Sequence, residues 1–389
     1  MYNLLINEIK LYLSGETDKD KMIDILDNTI FDLEKKMKGY TNLIKCYSYI
    51  NETKNQPAQK SLEWLKKRKS CLTASDVYKV IRCRDFKNNK TITELAKAKM
   101  NIDVTSNFTD NEATRWGERY ENVAVLIFEK MMEVKVYEAA LFIHPSNPQI
   151  GASCDGFIPF VDNAECIEIK CPFSREPKEG YIPAEYFHQM QTQLYVTNFD
   201  VCNFFDCKIE EWHNENDFKD DLIYFIQNGG TKGGSTPENP LYYGIIAQFV
   251  DIYNEKNRMV IPKYVPDYYK EESNKEKIPD EIDPKYNMAI TPYYLYSKII
   301  NEDMSNYDQV KEELIRRVQE TLRGNNMKFI RFIYWKPVKY MHTRIDRIPA
   351  WIETNGLKIN AFWEYANELK CEYANELRNE PEYEIIFED

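Results

Sequence analysis

Hydrophobic residues recur at intervals of three and four through the first 56 positions, the spacing that places them on one face of a helix. We interpret the pattern as a helical hairpin that packs on another part of the protein. Two successive series carry it, namely Leu4, Leu5, Ile9 and Leu13, then Met22, Ile25, Leu26, Ile30, Leu33 and Met37. Because the pattern breaks at Gln56-Pro57-Ala58, residues 1–60 are predicted to form a helical N-terminal extension.

The next segment also reads as helical. Ser61 can cap a short helix that runs into Trp64 and a run of basic residues. A longer amphipathic helix is predicted over residues 113–132, with Glu118 and Glu121 among its polar positions.

The period of the hydrophobic pattern then falls from about 3.6 to about 2, which favours strands. Strands are predicted at 134–143, 150–161, 166–171 and 201–209, with a helix over 184–196 before the last of them. Asp162 and Asn163 suit a tight turn. Together these elements predict an α/β (α+β) fold, in which a central mixed β-sheet is flanked by helices, with its core at residues 61–212.

A weaker pattern follows, and we interpret residues 213–327 as an insertion of loops and helices. The glycine-rich stretch 228–235 and the charged stretch 267–285 are predicted loops or linkers. One helix is predicted from Tyr307 to Leu322, ended by Gly324. Residues 328–389 then supply the last core strand, interrupted by Pro337, and a C-terminal helix.

Composition narrows the class of protein. Hydrophobic residues make up 43% of the 389 positions and charged residues 29%, which excludes a largely disordered or collagen-like chain. No window approaches the roughly 18 uncharged apolar residues of a membrane span, and the first residues lack a signal-peptide pattern. We therefore expect a soluble protein inside a cell, in the cytoplasm or nucleus of a host if viral, with no membrane partner.

Cysteine and histidine spacing offers no metal motif. The nine cysteines include no C-x-x-C pair, so we expect buried, reduced thiols rather than disulfides or an iron–sulfur cluster. His144, His188 and His213 share no ligand spacing and are expected to be structural.

Charge is distributed unevenly along the chain. The net charge is -12, which by itself argues against a polyanionic partner. Residues 60–100, however, contain twelve Lys and Arg against four Asp and Glu, a net charge of +8. This basic segment is either a solvated helix face or a surface for phosphate groups, and its charge alone leaves both interpretations open.

The candidate chemistry lies in Gly151-Ala-Ser-Cys-Asp155-Gly-Phe157 and Glu165-Cys-Ile-Glu168-Ile-Lys170. Residues two apart on a strand share a face, so Glu168 and Lys170 point the same way. A turn centred near Asp162 makes a hairpin that brings Asp155 opposite Glu168, to within about two residues. The sequence therefore predicts that two carboxylates and a lysine converge.

Two adjacent carboxylates repel each other unless a cation lies between them, and hard oxygen ligands suit Mg²⁺ or Mn²⁺. A bound divalent ion can activate water against a phosphodiester, with the lysine positioning that water or neutralising charge. These three residues alone fit a surface hairpin with a cross-strand ion pair equally well.

The flanking residues decide between these interpretations, because the chain resembles the YqaJ and phage lambda exonuclease branch of the PD-(D/E)XK nucleases. Five ordered blocks carry the resemblance between about residues 61 and 209, and residues 331–363 resemble the family's final strand and helix. The blocks are Trp64-x3-Arg68 with Thr73-Ala74-Ser75, Trp116-Gly-Glu-Arg-Tyr-Glu121, Gly151 to Phe157, Ile167-Glu-Ile-Lys-Cys-Pro-Phe173, and Tyr186-Phe-His-Gln189-Met-Gln191.

The resemblance implies a restriction-endonuclease-like core and a set of metal-site residues. Asp155 and Glu168, with the backbone carbonyl of Ile169, would hold two Mg²⁺ ions, for which Mn²⁺ could substitute. Lys170 would act on the attacking water. Glu121 would reach the metals from its helix through bound water.

Further roles follow from the remaining blocks. Gln191 is implied as a catalytic residue that orients water or substrate, together with Gln189, which is also a candidate for binding DNA phosphate. Arg68 and Ser75 would bind a phosphate near the cleavage point, which is the 5′-terminal phosphate in the phage enzyme.

Two positions depart from the family pattern. Cys154 stands where the family name has proline, a position that many members vary. Ser70 stands at a position that is commonly glycine, which puts a strict preference for a 5′-phosphate in doubt.

The implied activity is a metal-dependent 5′-to-3′ exonuclease that converts linear double-stranded DNA ends into 3′ overhangs for recombination, repair or viral genome processing. Its partners would be DNA ends and a single-strand annealing protein. The alternatives are an endonuclease or RNA-cleaving nuclease of the same fold, or a catalytically silent DNA-binding scaffold. The phage enzyme forms a ring of three, whereas the extensions of this chain favour a monomer.

Overall fold

The computed structural model describes residues 19–57, 61–102, 112–212, 214–228, 242–251, 292–300, 304–324 and 327–379. The predictions for residues 1–18, for the glycines after Asn228, for residues 267–285 and for His213 lie outside these ranges.

Nine strands and nine helices are described. The strands are β1 (Leu72–Thr73), β2 (Phe142–His144), β3 (Asn147–Ala152), β4 (Gly156–Pro159), β5 (Ala164–Lys170), β6 (Val201–Trp212), β7 (Gly244–Asp251), β8 (Pro292–Tyr296) and β9 (Met327–Asp346). The helices are α1 (Lys19–Thr53), α2 (Leu62–Lys69), α3 (Ala74–Arg82), α4 (Lys90–Met100), α5 (Glu112–Met132), α6 (Ala184–Thr197), α7 (Glu215–Asn228), α8 (Tyr307–Gly324) and α9 (Trp351–Asn379).

The described strands form two sheets. A three-stranded sheet has the order β1-β3-β2, and the six-stranded main sheet has the order β4-β5-β6-β9-β7-β8. In the main sheet β5 and β6 are parallel and the other neighbours are antiparallel. The predicted fold class, a central mixed sheet flanked by helices, is therefore confirmed.

Helices cover both faces of the main sheet beside β5. On one face Tyr120 and Val123 of α5 belong to the same hydrophobic cluster as Ile167. On the other face Leu194 of α6 belongs to the same cluster as Cys166. Because side chains alternate along a strand, Glu168 and Lys170 share a face, as the sequence predicts, and this face is the α6 side.

The hairpin β4–β5 has the predicted register, but the single strand predicted at 150–161 is divided in two. Gly156 pairs with Ile167, so Asp155 lies opposite Glu168. The single strand predicted at 150–161 consists of β3 and β4, which belong to different sheets. The chain bends at residues 153–155, and Asp155 sits in this bend.

The predicted insertion is part of the main sheet rather than a set of loops and helices alone. Its strand β7 pairs with the first half of β9, and β8 pairs with β7. Strand β9 is long enough, at 20 residues, to pair with β6 through its second half as well. Pro337 does not end β9, because the register shifts beside it and a bulge absorbs the irregularity. Helix α8 matches the predicted helix at 307–322.

Helix α1 docks on the core through its second half. Asn42 donates to Asn163 Oδ1 (3.2 Å) and to Asp200 Oδ2 (3.1 Å), and Lys45 donates to the Asn198 carbonyl (2.7 Å). Gly39 lets the helix approach the β4–β5 turn, because a Cβ at this position would overlap the Asp162 carbonyl oxygen. Helix α1, the described part of the predicted N-terminal extension, therefore packs on the core.

In the part of the chain that is described, no helix is long and apolar enough to cross a membrane.

Gly39 and Gly117 both lie in helices but should respond oppositely to alanine. Gly39→Ala forces a methyl group against backbone and should lower the free energy of unfolding by about 1–3 kcal/mol. A methyl group at Gly117 would meet no atom within 4 Å, so Gly117→Ala should raise it by about 0.5–1 kcal/mol. Denaturant titration of both variants measures the two changes, and a stabilised Gly39→Ala protein would contradict the docking of α1.

Candidate active site

Asp155 is held at the bend between β3 and β4 by its own backbone and side chain. Its N–H donates to the Ile167 carbonyl (3.0 Å), and its Oδ2 accepts the Ile169 N–H (2.6 Å). Both contacts are to β5, so the carboxylate is fixed beside the strand that carries Glu168.

Glu168 is a fully buried carboxylate, with no exposed surface. Its Oε1 accepts from Lys170 Nζ and from Gln189 Nε2 (2.6 Å), and its Oε2 accepts from Gln193 Nε2 (2.6 Å). A buried charge is tolerated only when it is paired and hydrogen-bonded, and these three donors meet that requirement.

Lys170 lies between the buried Glu168 carboxylate and the surface. Its side chain is 24% exposed, and its ammonium lies 5.2 Å from the ring centroid of Tyr186. Burial disfavours the charged form, but the charges of Glu168 and Asp155 outweigh burial and raise the pKa of Lys170 above its usual value. Lys170 is therefore a cation in this arrangement.

The acidic groups repel one another despite Lys170. Burial raises the pKa of the Asp155 carboxyl well above its usual range, and the charges of Glu168 and Glu121 raise it further, against the opposing effects of Lys170 and the Ile169 N–H. Glu121 is an exposed residue of α5 whose charge acts on Asp155. The site consequently favours either a proton or an additional cation.

The donor chemistry suits a divalent ion. Asp155, Glu168 and the Ile169 carbonyl offer hard oxygens, and Glu168 Oε2 accepts one hydrogen bond from the described residues, which leaves it a lone pair. Among those residues, no group of three or more His, Cys, Asp or Glu side chains is already arranged to hold an ion. A metal would therefore have to use backbone oxygen and water beside the two carboxylates.

The structure does not bring Gln191 to Glu168. Its Nε2 donates to the Asp346 carbonyl (2.8 Å), and its Oε1 accepts the Ile348 N–H (2.9 Å). Gln191 thus ties α6 to the segment after β9, away from Glu168. On a helix residues four apart share a face, so Gln189 and Gln193 reach the same carboxylate while Gln191 cannot.

Gln193 is a site residue that the sequence motifs did not reveal. It is fully buried, and its Nε2 also donates to the Ser153 carbonyl (3.0 Å) next to Asp155. The helical spacing from Gln189 was a signal that could have identified it.

Arg68 and Ser75 come together as predicted. Arg68 Nη2 lies 3.4 Å from both Ser75 Oγ and Thr73 Oγ1, and its guanidinium lies 4.7 Å from the Trp64 ring centroid. Ser75 is exposed in the first turn of α3. The two residues form a small polar site that could accept a phosphate group.

The basic segment is only partly a solvated surface. Lys87 and Lys90 have side chains that are 73% and 90% exposed. Lys99, in contrast, is buried with Asp76 and donates to the Arg68 carbonyl (2.9 Å). Lys99 therefore supports the Arg68 site instead of facing solvent.

The nine cysteines, His144 and His188 all lie in the described part of the chain. All nine cysteines are free thiols, and eight of them are buried. His188 accepts from Trp351 Nε1 (3.1 Å) and stacks on Tyr78, and His144 stacks on Tyr195. Both histidines are structural.

Comparison with known proteins gives matches over this region. Residues 63–200 match the family described as the YqaJ-like viral recombinase domain. An uncharacterised protein of Acanthamoeba polyphaga mimivirus is 32% identical over an alignment of 206 residues, with coverage of 49% of this chain and 37% of that protein. This chain thus spans well under half the length of that relative.

Two solved structures show overall similarity. An alkaline exonuclease from Laribacter hongkongensis matches with a TM-score of 0.42 and 16% identity, over 82% of this chain and 98% of that one. A phage-related exonuclease from Haemophilus somnus 129PT matches with a TM-score of 0.37 and 13% identity, over 78% and 96%. Every predicted site residue lies within residues 63–200, the part of the chain that matches the YqaJ-like viral recombinase domain.

Proposed function

We propose that this protein is a metal-dependent nuclease that degrades linear double-stranded DNA from its 5′ ends and leaves 3′ overhangs. The observation that carries the proposal is the convergence of Asp155, Glu168 and Lys170 at the end of one hairpin, within a YqaJ-like domain. Its partners would be DNA ends and a single-strand annealing protein, inside a cell.

Asp155, Glu168 and the Ile169 carbonyl would hold the Mg²⁺ ions, with Mn²⁺ as a substitute. A bound divalent ion supplies Lewis-acid activation of the phosphodiester and of a water. Glu121 would add negative charge at the exposed side of the same site, since its charge already acts on Asp155.

Lys170 contributes a fixed positive charge. Because its pKa is raised, it is a poor base, and it would instead orient the attacking water and neutralise charge on the phosphate. Tyr186 covers one side of the ammonium and limits its movement.

Gln189 and Gln193 would keep Glu168 in one orientation. Each amide donates to a different oxygen of the carboxylate, so the plane of the carboxylate is fixed relative to α6. In this proposal Gln193 has the supporting role at the site that the sequence analysis assigned to Gln191.

Arg68 and Ser75 would bind the 5′-terminal phosphate. A guanidinium and a hydroxyl are suitable donors for phosphate oxygens, and Trp64 holds the guanidinium plane. Ser70 closes α2 by donating to the Lys67 carbonyl (2.8 Å), so the turn after Arg68 forms without glycine.

Lys170→Ala should reduce cleavage of linear duplex DNA by about 100-fold or more, while DNA affinity changes little. The measurement is the rate of shortening of an end-labelled duplex with Mg²⁺, and EDTA should stop it. Lys178→Ala is the matched control, since Lys178 is exposed in the following loop.

In the same assay, the protein should leave covalently closed circular DNA intact. Rapid nicking of closed circles would favour an endonuclease, and cleavage of RNA at a similar rate would favour an RNA-cleaving nuclease. If the protein cleaves none of these substrates in the presence of metal, the remaining alternative is a DNA-binding scaffold.

Gln193→Leu and Gln191→Leu should separate catalysis from stability. Gln193→Leu removes a donor from Glu168 and should lower the cleavage rate at saturating DNA by about tenfold. Gln191→Leu breaks two bonds to backbone and should lower the melting temperature while the folded protein keeps its rate. The reverse pattern would restore the role first assigned to Gln191.

Arg68→Ala should remove the preference for 5′-phosphorylated over 5′-hydroxyl ends. The comparison uses two duplexes that differ in this group alone, with Arg84→Ala as a control from the same basic segment, where Arg84 is exposed. Equal rates on both ends in the unmodified protein would refute an end-phosphate site.

A further inference from the structure

Lys170 has a second buried carboxylate beside it, that of Asp206 on the neighbouring strand β6. The parallel register of β5 and β6 places Asp206 directly opposite Lys170, so both side chains lie on the same face of the main sheet. Neighbouring strands are about 4.8 Å apart, and a flexible lysine side chain can span that distance. Two buried acids, Glu168 on its own strand and Asp206 on the next, are therefore within reach of Lys170.

Asp206 is neutralised by Arg175 rather than by Lys170. Arg175 lies in the loop between β5 and α6, and its Nη1 donates to Oδ2 of Asp206 while its Nη2 donates to Oδ1 (2.8 Å). A bidentate pair of this kind is stronger and more directional than a single lysine contact. Lys208, two residues further along β6, donates instead to the Phe173 carbonyl. With both Asp206 oxygens bound by Arg175, Lys170 keeps its contact with the other acid.

Both cations contact the Tyr186 ring. The Arg175 guanidinium lies 5.8 Å from the ring centroid, and the Lys170 ammonium lies 5.2 Å from it. Because a cation is attracted to an aromatic face, Arg175 also holds Tyr186 in the position in which it covers Lys170. Arg175 thus acts on Lys170 in two ways, through Asp206 and through Tyr186.

We propose that Arg175 is a positioning residue for Lys170. By neutralising Asp206, it prevents a buried carboxylate from drawing the Lys170 ammonium away from Glu168 and from the phosphodiester. The inference rests on the proposed function, in which Lys170 neutralises charge on the phosphate. It differs from a direct role in DNA binding, because the guanidinium is bound by Asp206 and the Arg175 side chain is 29% exposed.

The kinetic test uses Arg175→Gln, which removes the charge but keeps an amide that can donate to Asp206. Asp206 should then attract Lys170, so the rate at saturating linear duplex DNA should fall by about tenfold, with little change in KM. Adding Asp206→Asn should restore the rate to within about twofold of the unmodified protein, because it removes the competing charge. Lys178→Gln is the matched control, since Lys178 is an exposed cation of the same loop, and it should keep its rate.

Two outcomes would overturn the proposal. A higher KM that Asp206→Asn does not correct would mean that Arg175 binds DNA directly, and an unchanged rate in folded Arg175→Gln protein would mean that Asp206 does not compete for Lys170. Thermal melting reports whether the variant is folded. If it is not, Arg175→Lys replaces it, because one ammonium compensates Asp206 less completely than a guanidinium, and a loss of about fivefold with the same rescue is expected. A loss without rescue in that variant would also contradict the proposal.

Denaturant titration tests the inference without any cleavage. In the unmodified protein the effects of Lys170→Met and Asp206→Asn on the free energy of unfolding should add, because the two side chains do not pair. In the Arg175→Gln background they should not add, since either substitution removes the new pair between Lys170 and Asp206. Additivity in both backgrounds would refute the positioning role. If the unmodified protein cleaves no DNA, the proposed nuclease function fails, and this titration still shows whether Arg175 determines the partner of Lys170.

Discussion

A carboxylate without solvent contact needs hydrogen-bond donors from the protein, and the organisation of this domain follows from one such group, Glu168. Lys170 comes from the same strand, whereas Gln189 and Gln193 come from α6. Replacing any one of these donors leaves charge less compensated in a buried place. Strand β5 and helix α6 are therefore constrained to one relative position, and Asp155 is fixed against them through the Ile169 N–H.

The same arrangement prepares the site for chemistry. The donors balance Glu168, but burial, together with the charges of Glu168 and Glu121, raises the pKa of the Asp155 carboxyl, so this position favours another positive group. A divalent cation at this position would balance the negative charge. Without such a cation, a proton on Asp155 would do so. Placing Asp155 beside other acidic groups therefore costs stability, a cost that a bound cation would offset.

Outside the site, the segments that flank the family match are integrated into the fold. Strands β7 and β8 extend the main sheet through β9, so the inserted residues share its hydrogen bonding. Arg119, two residues before Glu121 in α5, bonds to Glu211 (2.8 Å) and to Tyr294 (3.3 Å) of β8. Helix α1, at the other edge, docks with one face and presents a second apolar face outward.

The sequence by itself determined the mixed α/β class, the hairpin register that sets Asp155 opposite Glu168, and the shared face of Glu168 and Lys170. These depend on periodicity and on a short turn, which are local properties of the chain. Only the tertiary structure decided that residues 150–161 divide between two sheets, that the insertion joins the main sheet, and that Gln193 rather than Gln191 reaches Glu168. These features depend on which face of a helix or strand packs against which neighbour. Contacts between residues distant in sequence determine this packing.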